Sequence, residues 1–209
     1  MVKKPVLSKQ VNNIIASKRE GILFVVSGPS GCGKTTLCKN LISRRLGLVH
    51  SVSATTRAPR KNERANVDYI YMTEIEFAKA VEKKEFLECA KVFDNYYGTP
   101  KQFVLEKIKT GQDVILSIDV KGASQIKETF KAAVLVFIMP PTFKDLEKRL
   151  SKRASEDTTE IKKRLNIAHA ELKSVNKYDY IVINDDIGKA TDKLVAVIKT
   201  ERSRIERRR

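Results

Sequence analysis

Ile22-Leu23-Phe24-Val25-Val26-Ser27-Gly28-Pro29-Ser30-Gly31-Cys32-Gly33-Lys34-Thr35 is the stretch from which the rest of the chain can be read. Ile22–Val26 is a continuous apolar run rich in β-branched residues, the pattern of a strand covered on both faces. Gly28 to Thr35 then matches G-x-x-x-x-G-K-[ST]. A helical pattern follows at Lys34–Arg45, with Leu37, Leu41 and Ile42 on one side. Strand, loop and helix in that order is the context in which the motif has a mechanism. Glycines let backbone N–H groups turn inward onto phosphate oxygens, and the helix N-terminus adds partial positive charge. Gly28, Pro29, Ser30, Gly31, Cys32, Gly33, Lys34, Thr35 and Thr36 are therefore expected to line the phosphates of a nucleoside triphosphate. Lys34 would reach the β- and γ-phosphates, and the Thr35 hydroxyl would be the Mg²⁺ ligand. Cys32 reads as a small residue that fits the turn rather than as a redox group.

Working outward, two further apolar runs, Val114–Ile118 and Val134–Met139, resemble the first, and a shorter one lies at Tyr180–Ile183. Helical patterns occupy Thr159–Val175, with Ile161, Leu165, Ala168 and Leu172 on one side, and Asp186–Arg204, with Ala190, Leu194, Val197 and Ile198 together. Buried strands alternating with helices predict an α/β protein with a parallel sheet covered on both faces. From about Val52 to Phe103 the pattern changes. Short mixed segments at Tyr69–Met72 and Phe86–Phe93 surround one helical pattern at Glu74–Lys84, which predicts a small β-rich lobe inserted into the core. The charged stretch Ser151–Glu160 reads as a mobile loop between helices.

The chain has 209 residues, 42% hydrophobic and 32% charged, enough for one domain with a sizeable core and unlike a disordered chain. No apolar run approaches the roughly 20 residues needed to cross a bilayer. The formal net charge is +16. About half of that excess lies in residues 1–20, which read as an N-terminal extension, and in 199–209. A basic total suits nucleic acid, anionic lipid or phosphorylated small molecules alike. No aromatic-plus-basic motif of the RNA-binding type accompanies it. Residues 1–20 lack the unbroken apolar segment of a secretory signal. Three cysteines and two histidines, with no C-x-x-C pair, argue against a disulfide framework or a zinc site and for reduced thiols in the cytoplasm.

Two further tetrapeptides imitate a GTPase. Asp119-Val120-Lys121-Gly122 fits D-x-x-G, and Asn176-Lys177-Tyr178-Asp179 fits N-K-x-D. A guanine-reading N-K-x-D should follow a buried strand, because ligands of open α/β sheets bind at the carboxyl ends of strands. Here it precedes the run Tyr180–Ile183 and is expected at the wrong end of the sheet.

The lobe opens with Ser51-Val52-Ser53-Ala54-Thr55-Thr56-Arg57-Ala58-Pro59-Arg60. Arg57 and Arg60 can converge on one anion, with Tyr69 and the Tyr96-Tyr97 pair as hydroxyl donors. Here the chain resembles a guanylate kinase, a P-loop nucleoside monophosphate kinase of the bacterial type. The resemblance runs from Gly21 to the final helix through GPSGCGKT, SVSATTRAPR, VDYIYM, FLECAKVFDNYYGTP, ILSIDVKGA, VFIMPPTFKDLEKRL and YDYIVINDD. It implies a three-layer P-loop fold with a five-stranded parallel core sheet built from residues 21–51 and 104–209. It also implies a GMP-binding lobe at 52–103 and a helical lid at about 142–170. The implied substrates are ATP and GMP, with Mg²⁺ as cofactor, no nucleic-acid or membrane partner, and a monomer or homo-oligomer as the assembly. By position, Arg57, Arg60, Tyr69 and Tyr97 would hold the GMP phosphate. Glu88 and Asp119 would face the donors of guanine, and Ser53 and Thr99 its O6. Arg149 and Arg153 would approach ATP from the lid, Arg164 would bridge toward the transferring phosphoryl group, and Asn184 would lie near adenine. A carboxylate facing two donors suits guanine and is left unpaired by adenine, and sites of that kind discriminate by about 10⁴ or more. His169 has no part in this scheme and reads as an ordinary helix residue.

Three departures from the family pattern stand out. Ser117 occupies the position of an Asp on the magnesium side. Asn62 and Asn66 occupy positions commonly held by Gly, which Asn replaces best at positive φ. Lys152 and Ala154 flank Arg153 where glycine is frequent, so a stiffer lid is expected.

Overall fold

In a computed structural model, residues 19–92, 94–151 and 158–208 are described. β1 (Leu23–Ser27) is the centre of a five-stranded sheet with β2 (Leu48–His50), β7 (Asp113–Ser117), β8 (Val134–Met139) and β9 (Tyr180–Ile183), in the order β2-β7-β1-β8-β9. Every pairing in it is parallel, with Phe24 opposite Ile115 on one side and Val134 on the other. Parallel strands of this kind need helices on both faces, and the alternation of side chains supplies two apolar surfaces.

Phe24 and Val26 point to one face with Ile115, Val136 and Ile138. They meet Leu37, Cys38 and Leu41 of α1 (Lys34–Ser43) and Ala190, Leu194 and Ile198 of α7 (Ile187–Ser203). Leu23 and Val25 point to the other, with Val114, Leu116 and Leu135. They meet Val104 and Ile108 of α3 (Lys101–Lys109) and Ala123 and Ile126 of α4 (Val120–Thr129). These side chains are essentially free of solvent, and each such burial contributes about 1.5–3 kcal/mol. The three-layer α/β architecture expected from the sequence is the one observed.

A second sheet is mixed and small, in the order β4-β3-β6-β5, from β3 (Ala54–Thr55), β4 (Ile70–Tyr71), β5 (Phe86–Val92) and β6 (Asn95–Pro100). α2 (Glu74–Glu82) packs Phe77 against Phe86 and Tyr96 of this sheet. α2 opens with a capping box, Thr73 and Glu76 bonding each other's backbone N–H. α5 (Phe143–Ser151) and α6 (Thr158–Leu172) pack through Leu146, Leu150 and Ala168.

Several boundaries differ from the sequence expectations. The first strand run lies one residue later, at Leu23–Ser27, and the second one residue earlier, at Asp113–Ser117. α6 stops at Leu172, and a separate 3₁₀ turn occupies Val175–Lys177. α1 stops at Ser43, before Arg45 at φ 51. Of the two Asn in the lobe loop, Asn66 takes the left-handed conformation at φ 61 and Asn62 does not. The expected mobile loop and its Lys152 and Ala154 fall mainly at 152–157, outside the described residues.

Candidate active site

The glycine-rich turn follows β1 at its carboxyl end, between β7 and β8, where open α/β sheets bind their ligands. Gly28, Gly31 and Gly33 all have positive φ (135, 85 and 94), so the turn needs residues without the Cβ penalty. Gly33 is also the N-cap of α1. It offers no side chain to the first N–H groups of that helix, and no acidic residue lies in the first turn. These donors and the helix dipole therefore face whatever anion sits on the turn. Lys34 Nζ arches back to Gly28 O (2.6 Å) and Pro29 O (3.0 Å). Thr35 and Thr36 are exposed on the first turn of α1, and Ser30 is half-buried.

Two elements brace the turn from outside. Asn184, directly after β9, is buried, and its amide donates to Cys32 O (2.8 Å) across 152 residues of chain. A Cβ on Gly33 would lie 2.4 Å from that amide nitrogen. Leu146 and Leu150 of α5 lie against Gly31. Arg149 Nη2 donates to Asn184 O (3.0 Å), so that arginine is tied to the same brace. Cys32 is fully buried, and burial raises its thiol pKa against the nearby Lys34 charge. Burial of that kind disfavours the reactive thiolate.

Arg164 is half-buried on α6, and Arg153 lies outside the described residues. Glu171, also on α6, was missed in the sequence. Burial raises its pKa and the Lys34 charge lowers it; among the described residues its Oε2 has no hydrogen-bond partner. His169 stacks on Phe143 with ring centroids 3.8 Å apart, a packing role.

In the lobe, Glu88 is 5% exposed on β5. Thr99 Oγ1 donates to its Oε1 at 2.6 Å. Burial, and behind it the charge of Asp119, pushes the Glu88 carboxyl up to about 7, although the Thr99 bond acts the other way. Asp119 is the N-cap of α4 and accepts from Gly122 N–H at 2.8 Å. A Cβ on Gly122 would sit 2.5 Å from Glu88 Oε2, so α4 is pressed onto the Glu88 carboxylate. Gln125, one turn further, bonds both the N–H and the C=O of Cys89, pinning β5 to the core helix.

Arg57 is half-buried 5.3 Å over the Tyr69 ring, and Tyr69 meets Tyr97 edge to face at 6.0 Å. Ser53 is half-buried beside β3, and Arg60 is exposed. Glu63, which the sequence reading did not single out, receives Arg57, Arg60 and Tyr71. The D-x-x-G and N-K-x-D imitations part company. Asp119 faces Glu88, whereas Asp179 sits at the opposite end of the sheet, accepting from Leu135 N–H (2.8 Å) and Lys127. Ser117 ends β7, and its hydroxyl hydrogen-bonds the Cys38 thiol, whose pKa burial raises to about 12.

Comparison with known proteins settles the family. The guanylate kinase sequence model matches residues 20–201. The chain belongs to the guanylate kinase family. It is 48% identical over 190 residues to the guanylate kinase of Caldanaerobacter subterraneus subsp. tengcongensis, covering 91% of this chain and 92% of that protein. With the guanylate kinase of Carboxydothermus hydrogenoformans it shares 45% identity over 188 residues, 90% and 92% of the two chains. The crystal structure of guanylate kinase from Anaplasma phagocytophilum superposes with a TM-score of 0.79 at 32% identity, covering 91% of both chains. Membership makes this chain an enzyme, a guanylate kinase. No helix among the described residues is long and apolar enough to cross a membrane.

Proposed function

We propose the following division of labour for ATP + GMP → ADP + GDP, the reaction of this guanylate kinase. ATP lays its phosphates on the turn Gly28–Thr35, where the first N–H groups of α1 and the Lys34 ammonium meet the β- and γ-oxygens. GMP enters the lobe, with Glu88 and Asp119 reading the guanine donors, Ser53 and Thr99 near O6, and Arg57, Arg60, Tyr69 and Tyr97 on its phosphate. The acceptor needs no general base, because a phosphate monoester with a second pKa of about 6 is already an anionic nucleophile. An oxygen of GMP attacks the γ-phosphorus, and its bond to the ADP oxygen breaks. Lys34, Arg149, Arg153 and Arg164 offset the charge of the two crowded anions.

The donor set suits a hard divalent cation. Thr35 offers an exposed hydroxyl at the turn, and among the described residues no group of three or more His, Cys, Asp or Glu could hold a metal by itself. Thr35 would hold Mg²⁺ together with substrate phosphates and water, and the ion would supply charge neutralisation for the transferring phosphoryl group. Free Cys32, Cys38 and Cys89 support a reducing compartment, the cytoplasm. ATP and GMP are the partners of this reading.

The observation that carries the site assignment is Glu88, a carboxylate 5% exposed, aimed between Thr99 and α4 in the lobe beside the phosphate turn. A coupled assay of ADP formation with ATP and each of GMP, AMP, CMP and UMP tests it. GMP should be the preferred acceptor, and Glu88→Gln should erase most of that preference with little change in the ATP KM. Unchanged GMP and AMP rates in the variant would remove Glu88 from base recognition.

A further inference from the structure

We propose that Glu63 is the positioning residue of the GMP phosphate site, holding Arg57 and the turn that bears Arg60 in the geometry that receives the phosphate. The inference rests on reading the lobe as the GMP site. Arg57 Nη2 donates to both Glu63 oxygens, at 2.9 and 2.8 Å. The same carboxylate accepts the Arg60 backbone N–H at 2.9 Å and the Tyr71 hydroxyl at 2.8 Å. Glu63 N–H returns a bond to Arg60 O at 2.9 Å, so the turn 60–63 is closed from both ends.

Three features separate this carboxylate from a solvated surface charge. The Arg57 and Glu63 side chains are only 15% and 16% exposed, so their bonds are shielded from the screening that makes surface pairs negligible. Burial disfavours the Glu63 charge, yet the donors from Arg60, Arg57 and Tyr71 outweigh it and lower its pKa. Burial and the same bond push the Tyr71 hydroxyl up to about 12, so it stays a donor. The guanidinium is thus fixed by a carboxylate on one side and by the Tyr69 face on the other. Its Nη2 is committed to Glu63 and its Nη1 donates to Ala58 O at 2.7 Å, so an incoming phosphate meets the remaining N–H groups of a guanidinium already oriented.

Glu63 also carries a charge of the same sign as the phosphate. Positioning strengthens GMP binding and like-charge repulsion weakens it, so the two effects are told apart by sign. Calorimetric titration of wild type, Glu63→Ala and Glu63→Gln with GMP and with guanosine, which lacks the phosphate, reads that sign. GMP affinity should fall about tenfold or more in Glu63→Ala, with guanosine affinity and ATP KM unchanged. The GMP KM should rise more than kcat falls. Glu63→Gln retains an acceptor for the Arg60 N–H and the Tyr71 hydroxyl and should lie between wild type and Glu63→Ala. GMP binding that is unchanged or tighter in Glu63→Ala overturns the proposal, as does an equal loss of guanosine binding in both variants. Wild type that binds no GMP at all instead overturns the assignment of the lobe.

Discussion

On the proposed reading, Glu88 links base recognition to pH. Its folded pKa, about 7, lies above the ordinary Glu value of 4.5 because burial and Asp119 disfavour its charge. Between those values the folded chain holds a proton that the unfolded chain has released. Glu88 therefore favours the fold below about 4.5, and that contribution is lost as pH rises through about 7. With Glu88 reading guanine as proposed, GMP recognition has the opposite sign, because only the carboxylate accepts the guanine donors. GMP affinity should fall as pH drops below about 7, and calorimetry in buffers of different ionisation heat should register proton release on binding. Glu88→Gln should abolish that component. Gly122 gives a second test at this scale. Gly→Ala inside a helix ordinarily stabilises by about 1 kcal/mol, but here the added Cβ meets Glu88 Oε2. Gly122→Ala should raise the GMP KM, leave the ATP KM unchanged and give no gain in Tm. Residues 88 and 119 were singled out in the sequence through resemblance. Gly122 and Glu63 were not, since one stood only as the glycine of the D-x-x-G imitation and the other within the charged run Lys61-Asn62-Glu63-Arg64. Their roles exist only once α4 and the 60–63 turn are folded.

Among the elements, the strand that turns into α1 was the most legible, because a buried run, three glycines and an amphipathic period follow one another without a gap. β3 and β6 were not foreseen. β3 is two residues long, and β6 reads Asn-Tyr-Tyr-Gly-Thr-Pro, with no alternation to mark it. Their pairing comes from the lobe's tertiary packing, with Ala54 opposite Gly98 and Thr55 opposite Tyr97. β9 was foreseen as a strand, but the task of Asn184 beyond it was not. That task depends on the register of Val182 opposite Ile138, which carries the amide to Cys32 O. Asn184→Ala would leave a buried carbonyl of the phosphate turn unpartnered and should cost about 1–3 kcal/mol. Its distinguishing signature is an ATP KM that rises while GMP affinity, measured alone, stays constant.

Across the whole molecule, one carboxylate ties the beginning of the described chain to its end. Asp113 Oδ1 accepts from Arg19 (2.7 Å) and from Ile22 N–H (2.8 Å), and its Oδ2 from Arg202 (2.6 Å) and Arg19 (2.9 Å). The Asp113 side chain has no solvent exposure. Burial opposes its charge, but the bonds from Arg19, Ile22 N–H and Arg202 prevail and lower its pKa. Its contribution is therefore present above the ordinary Asp range and lost as pH falls through the lowered value. Asp113→Asn strands two arginines and should cost about 3 kcal/mol, or roughly 6–12 °C in Tm by circular dichroism. Wild type should show an acid-side loss of stability that the variant lacks. The three-layer architecture around this carboxylate was legible from the strand and helix periods. The staple was not, because nothing in the pattern links residues 19, 113 and 202.

The amide of Asn184 also has a consequence in time. A ribosome delivers the glycine-rich turn early and its brace 152 residues later, and domains fold as units during synthesis. Nascent chains released before β9 would thus own every residue of the phosphate motif yet hold nucleotide poorly, so that the enzyme switches on only when its last strand has docked.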